Sequence, residues 1–164
     1  MTGTLARWST AKKTIATPVY EARLRRHGAS DTEIEVWQLP SPASPQLSAP
    51  RRIAGLRGRN LALVEHRVLR LLAAAGAAHT TGGGAPVRRA LAEDVALRLG
   101  LLFRALAPMR NRDAMRAVAE GIEAMTREEA SYWLGMAMHR RNPRRVLTAL
   151  RILLTDPKAP ARRA

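Results

Sequence analysis

The sequence predicts a mainly α fold, a compact bundle of about five helices with an N-terminal β-hairpin docked on it. Three observations carry that prediction. Residues 111–157 read as three consecutive helices with their start and stop signals written out. Two earlier segments, 60–75 and 91–107, place apolar residues at helical spacing. Between Val19 and Leu39, two runs alternate apolar and polar residues on either side of a glycine-containing turn.

The hairpin comes first in the chain. Tyr20, Ala22 and Leu24 alternate with Glu21, Arg23 and Arg25, and His27-Gly28-Ala29-Ser30-Asp31 supplies the turn. Ile34 and Val36 alternate with Glu33 and Glu35. Setting Arg25 opposite Glu33 sets Arg23 opposite Glu35 and Leu24 opposite Ile34. One register then pairs opposite charges on one face and apolar residues on the other. A lone hairpin is marginal in water, so its apolar face must cover the helices.

Residues 40–50 hold four prolines and read as an extended linker. Asn60 can cap a helix over 60–75 that turns Leu61, Val64, Val68, Leu71 and Leu72 inward. Residues 73–90 read as a flexible Ala/Gly loop. A second helix, 91–107, carries Val95, Leu99, Leu102, Phe103 and Leu106, and stops before Pro108. A third, 112–125, turns Met115, Val118, Ala119, Ile122 and Met125 inward. Thr126-Arg127-Glu128-Glu129 is a capping-box pattern that opens a fourth helix over 127–141, burying Ala130, Trp133, Leu134, Ala137 and Met138. Asn142-Pro143 is a cap followed by proline at the first helical position, opening a fifth helix over 143–155.

At 164 residues the chain suits one domain, 18–157, with basic tails at 1–17 and 158–164. Its net charge is +15, and 25 of its 28 basic residues are arginine, so the surface should attract polyanions. Arginine and alanine in place of lysine also fits a GC-rich bacterial genome, which lowers the weight of any single arginine. The absence of cysteine excludes disulfides, thiolate nucleophiles and cysteine-based metal sites. No signal-peptide pattern and no membrane-spanning apolar run is present, so the expectation is a cytoplasmic protein with no membrane association.

No catalytic constellation emerges. His27, His66, His79 and His139 are scattered, and no spacing suits a metal or a cofactor. Gly82-Gly83-Gly84 lacks the Lys-Ser/Thr of a phosphate loop. Glu120 and Glu123 share a helix edge, as a carboxylate pair would, and an ordinary solvated face explains them as well.

The candidate binding residues are basic. Arg140, Arg141, Arg144 and Arg145 surround Asn142-Pro143, where one helix ends and the next begins. Arg140 and Arg141 suit a helix C-terminus, whereas Arg144 and Arg145 oppose the dipole of the helix they open, at about 0.3–1 kcal/mol each. That placement asks for a compensating anion, such as a phosphate or an acidic partner, though a solvated arginine cluster is the plainer reading. Arg110 and Arg112, near Arg116, form a second cluster. Arg51, Arg52, Arg57 and Arg59, interleaved with Gly55 and Gly58, form a third that also fits an ordinary loop. The fourth and fifth helices have the short connection of a helix-turn-helix without its turn glycine, and Arg144, Arg145, Thr148 and Arg151 would face the duplex.

The stretches NLALVEHRVLRLL (60–72), LRLGLLFRALAPMRNRDAMRAVAEGIEA (97–124) and YWLGMAMHRRNPRRVLTALRILLTDP (132–157) resemble a family of short uncharacterised bacterial proteins, over roughly residues 19–157. The resemblance implies a gene in a phage-defence-type cluster and a larger partner such as an ATPase, a helicase or a methylase. It carries no activity or functional residues, and against it residues 73–86 look like a variable insertion. The expected function is a non-enzymatic accessory subunit of a larger complex that handles nucleic acid. Direct duplex-DNA binding by the last helix and an enzyme with a dispersed acidic site are the alternatives. A DNA binder should gather the arginines at 110, 112, 140, 141, 144 and 145 on one face, and a docking subunit should expose an apolar patch.

Overall fold

A computed structural model describes residues 17–74, 87–139, 141–156 and 158, with the side chains of 87–89 excepted. The order of elements is β1 (Val19–Arg26), β2 (Thr32–Leu39), β3 (Arg51–Arg57), α1 (Gly58–Ala74), β4 (Val87–Leu91), α2 (Glu93–Leu106), α3 (Arg112–Glu123), α4 (Arg127–His139) and α5 (Pro143–Thr155). The fold is mixed α/β. The expected helical bundle with a docked hairpin is overturned by a four-stranded antiparallel sheet of order β3-β2-β1-β4, in which the hairpin supplies only the two central strands.

The hairpin has the register that charge pairing demands: Arg25 faces Glu33, Arg23 faces Glu35 and Leu24 faces Ile34. Its edges are covered by strands that sequence patterning did not reveal. Strand β3 pairs with β2 through a bulge, Val36 opposing Ala54 while Trp37 opposes Arg52. Ile53 is the extra residue, so Ile53 and Ala54 are both buried and the period-two alternation is lost. Strand β4 adds to β1, with Tyr20 opposite Leu91 and Leu24 opposite Val87. The segment read as a flexible loop over 73–90 therefore ends in a strand, while residues 75–86 lie outside the described residues. The connection 40–50 is also tied down rather than free. Ser44 is buried, and its hydroxyl accepts from the Gln38 amide at 2.9 Å while Gln38 Oε1 accepts from Arg51 at 2.7 Å.

The apolar sheet face, built on Ala22, Ile34, Val36, Ala54 and Leu56, packs against α1 and α2. Helix α2 is the centre of the molecule, with neighbours on every side. Ala96, Leu99, Leu101, Phe103, Ala105 and Leu106 have no measurable exposure. Gly100 makes the close approach possible: a Cβ there would lie 3.0 Å from Ile53 of the sheet and 3.2 Å from Leu134 of α4. Its two arginines end on backbone carbonyls, Arg104 on Ile53 at 2.7 Å and Arg98 on Glu123 at 3.3 Å. Burial, with Arg52 and Arg51 nearby, holds the Arg104 guanidinium below its ordinary pKa.

The capping signals near the C-terminus act as read. Asn111 accepts from Ala114 N–H, Thr126 from Glu129 N–H and Asn142 from Arg145 N–H. Asn60 does not cap. Helix α1 starts two residues earlier, at Gly58, whose φ of +63° turns the chain out of β3. The Asn60 amide instead donates to the carbonyls of Leu106, Ala107 and Met109 at 2.9, 3.2 and 3.2 Å. It thereby satisfies orphan acceptors at the end of α2.

Candidate docking cleft between the last two helices

Helices α4 and α5 pack against each other across a short connection. Ala130, Leu134 and Ala137 of α4 and Leu147 and Leu150 of α5 are buried in the core, where Leu134 faces Gly100 of α2. The two helices also form a cleft of about 580 Å³ lined by Tyr132, Trp133 and Met136 from α4 and by Val146 and Ala149 from α5. Arg141, Asn142 and Arg145 form its rim. Trp133, expected in the core, is only half-buried because one side of its ring faces this cleft. Tyr132 is 60% exposed and meets Trp133 edge-on at 5.7 Å.

Helical spacing extends the apolar surface beyond the cleft. Ala149 lies four residues after Arg145 and three after Val146, and precedes Ile152 and Leu153 by three and four, so all five share one flank of α5. Ile152 is 61% exposed and Leu153 39%. Arg144, Thr148 and Arg151 occupy the other flank by the same spacing. There Arg151 donates to the Thr148 hydroxyl at 3.0 Å and to the Leu147 carbonyl at 3.3 Å. Arg141, Arg144 and Arg145 are exposed and make no ion pair among the described residues. Arg140 lies outside the described residues.

Arg110 and Arg112 are not part of this cleft. They line a separate depression of about 400 Å³, together with Arg59. Four of the sequence-predicted arginines are thus divided between two concavities that share no residue, Arg141 and Arg145 on one and Arg110 and Arg112 on the other, while Arg144 lines neither. Of the apolar lining of the first, Met136 and Ala149 were not singled out from sequence, whereas the position of Tyr132 beside Trp133 already suited an outward ring. The exposed Ile152-Leu153 pair, on a helix already supplied with Leu147, Leu150 and Leu154, was the available signal.

A family model matches residues 20–156, which runs from the first strand to the end of α5. The chain belongs to this family, DUF7680, described as a domain of unknown function. No curated protein and no solved structure matches it significantly. The DUF7680 fold therefore has to be read from its own chemistry.

At least seven of the thirteen acidic residues are ion-paired. Glu120 and Glu123, the carboxylate pair of α3, both engage Arg67 of α1, and Glu123 also meets Arg70 at 3.2 Å. The sheet face opposite the helices carries a paired network. Glu35, buried, accepts from Trp37 Nε1 at 2.9 Å and meets Arg52 at 3.2 Å and Arg25 at 3.5 Å. The Arg23 guanidinium covers the Trp37 ring at 4.1 Å. Arg57 bonds Asp31 and holds that carboxyl below its ordinary range. The cluster around Gly55 and Gly58, which the sequence also fitted to a loop, lies on β3 and the start of α1, and in it only Arg59 remains without a side-chain partner among the described residues. No group of three or more His, Asp or Glu suited to a metal occurs among the described residues, and no described helix is long and apolar enough to cross a membrane.

Proposed function

We propose that this protein is a non-enzymatic interaction subunit that docks a larger protein through the α4–α5 cleft. The single observation that carries this reading is an apolar cleft, continuous with exposed Ile152 and Leu153 and rimmed by Arg141 and Arg145, which have no ion-pair partner among the described residues. Exposed apolar surface gathered on one side of a small domain marks a contact surface. Guanidinium groups at its edge select the chemistry of the occupant, an amphipathic segment with apolar side chains for the cleft and Asp or Glu for the rim. In cellular terms, the protein is an accessory part of a bacterial complex that handles nucleic acid, encoded in a phage-defence-type cluster, and the docked partner is its ATPase, helicase or methylase.

The test is a pull-down from the native host, with nuclease treatment, of the wild type and of a variant carrying Ile152→Asp and Leu153→Asp. The reading expects a nuclease-resistant partner that the variant loses while keeping its melting temperature. A partner retained by the variant, or released by nuclease, contradicts it.

Direct duplex binding is the second reading, favoured by Arg144 and Thr148 exposed on the flank of α5 away from the cleft. It expects affinity that falls with salt, and a slope of log K against log salt reduced by about 0.9 for each phosphate contact removed. A protein that binds no duplex at low salt removes it.

A further inference from the structure

The second concavity is a different kind of place. Its walls are the start of α1, the turn between α2 and α3 and the start of α3. Arg59, Arg110 and Arg112 come from those three segments, all exposed and none ion-paired among the described residues. No acidic residue lines the cavity. Three guanidinium groups round one cavity repel each other, and nothing in the lining offsets them. Leu63, Met109 and Met115 contribute the apolar patches of a lining that is polar in its larger part. Met109 and Met115 are buried, so these patches are part of the core's surface rather than a loose fringe. The geometry is fixed before any ligand arrives. Asn60 clamps the carbonyls of Leu106, Ala107 and Met109, and Met109 N–H closes onto Leu106 at 3.0 Å.

We infer that this cavity binds a nucleotide-sized phosphate ester. The arginines take the phosphate oxygens, for which paired N–H donors are the matching geometry. The Leu63, Met109 and Met115 patches take the organic body, since thioethers pack well on rings. The volume of about 400 Å³ falls in the range of small-molecule sites. The inference stands apart from the docking cleft, with which it shares no residue.

The experiment is calorimetric titration of the full-length protein with ATP and, separately, with inorganic pyrophosphate. The variants are Arg59→Gln, Arg110→Gln and Arg112→Gln, with Arg26→Gln as a control that removes one exposed charge elsewhere. The expected result is saturable one-site binding of ATP, weaker binding of pyrophosphate, and a loss of about tenfold or more in each of the three variants. The control should bind as the wild type does, and all four variants should melt as the wild type does. Absence of saturable binding at millimolar ATP overturns the inference. So does equal loss in Arg26→Gln, which marks general electrostatics, or pyrophosphate binding as tight as ATP, which leaves the apolar patches without a role. A protein that ignores ATP but needs these arginines to hold duplex DNA overturns it as well.

Discussion

Asp31 shows how a single side chain fastens the turn of the hairpin to the end of β3. Both Arg57 Nε and Nη2 donate to its Oδ2, at 2.9 and 2.6 Å, and hold the carboxyl below its ordinary value of 3.8. A carboxylate whose folded pKa is lowered contributes stability above its unfolded pKa and loses that contribution as pH falls through the folded value. The Asp31 carboxyl should therefore titrate below 3.8 in an NMR pH series, and Arg57→Gln should move its midpoint back towards that value. An unchanged midpoint would show that the pair does not persist in solution. At this scale the sequence was partly legible. The Arg25–Glu33 and Arg23–Glu35 oppositions follow from alternation alone, but the side chains then choose other partners. Arg23 leans onto Trp37 and Glu21, and Arg52 crosses in from β3 to reach Glu33 and Glu35. Cross-strand register constrains backbone neighbours, not which long side chain reaches which.

Among the elements, the two strands missed from sequence have physical reasons for being missed. In β3, a bulge puts Ile53 and Ala54 inward together, and Gly55 interrupts the run so that the Arg52 guanidinium can lie over it. In β4, Val87-Arg88-Arg89-Ala90-Leu91 has no alternation and follows a low-complexity stretch. Helices α3 to α5 were legible because their caps are side-chain chemistry printed in the sequence. Their packing was not. Gly121 allows α3 and α5 to touch, and a Cβ there would meet Leu154 at 2.6 Å. In Gly121→Ala the partly exposed Leu154 side chain has to shift, and the gain of about 1 kcal/mol in helix propensity opposes that cost, so the denaturant midpoint should stay close to that of the wild type. A clear fall would mean that Leu154 is held in place. On α5, Arg144 and Arg145 oppose the helix dipole and have no ion-pair partner among the described residues. Replacing both with Gln should leave the folding stability unchanged or raise it, by about 0.3–1 kcal/mol for each, read as an equal or higher melting temperature. A clear fall would show that the pair serves stability rather than binding.

For the whole molecule, the sheet and the helices form one unit because α2 supplies core to both. Its buried ring of residues touches β3 through Ile53 and α4 through Leu134 at the same glycine. A fragment of residues 57–164 lacks three of the four strands and would leave one side of α2 and α1 bare. It should unfold without a cooperative transition and bind a hydrophobic dye. A fragment that melts as sharply and as high as the full chain would make the sheet an appendage. The candidate site was half legible at this scale. Arg144 and Arg145 stood out by opposing a helix dipole, but the apolar cleft that Arg141 and Arg145 border is made by α4 and α5 together, and the periodicity of one helix does not show how it packs on another. The central claim is that this cleft receives an acidic amphipathic segment of a larger protein. The most direct measurement places a photo-crosslinking amino acid at Ile152 in the native host, with a control at Glu65 on α1. The account predicts one discrete protein adduct at 152, insensitive to nuclease, absent at 65, and mapping to a stretch of apolar residues flanked by Asp or Glu. Adducts to nucleic acid alone, or the same adducts from both positions, would contradict it.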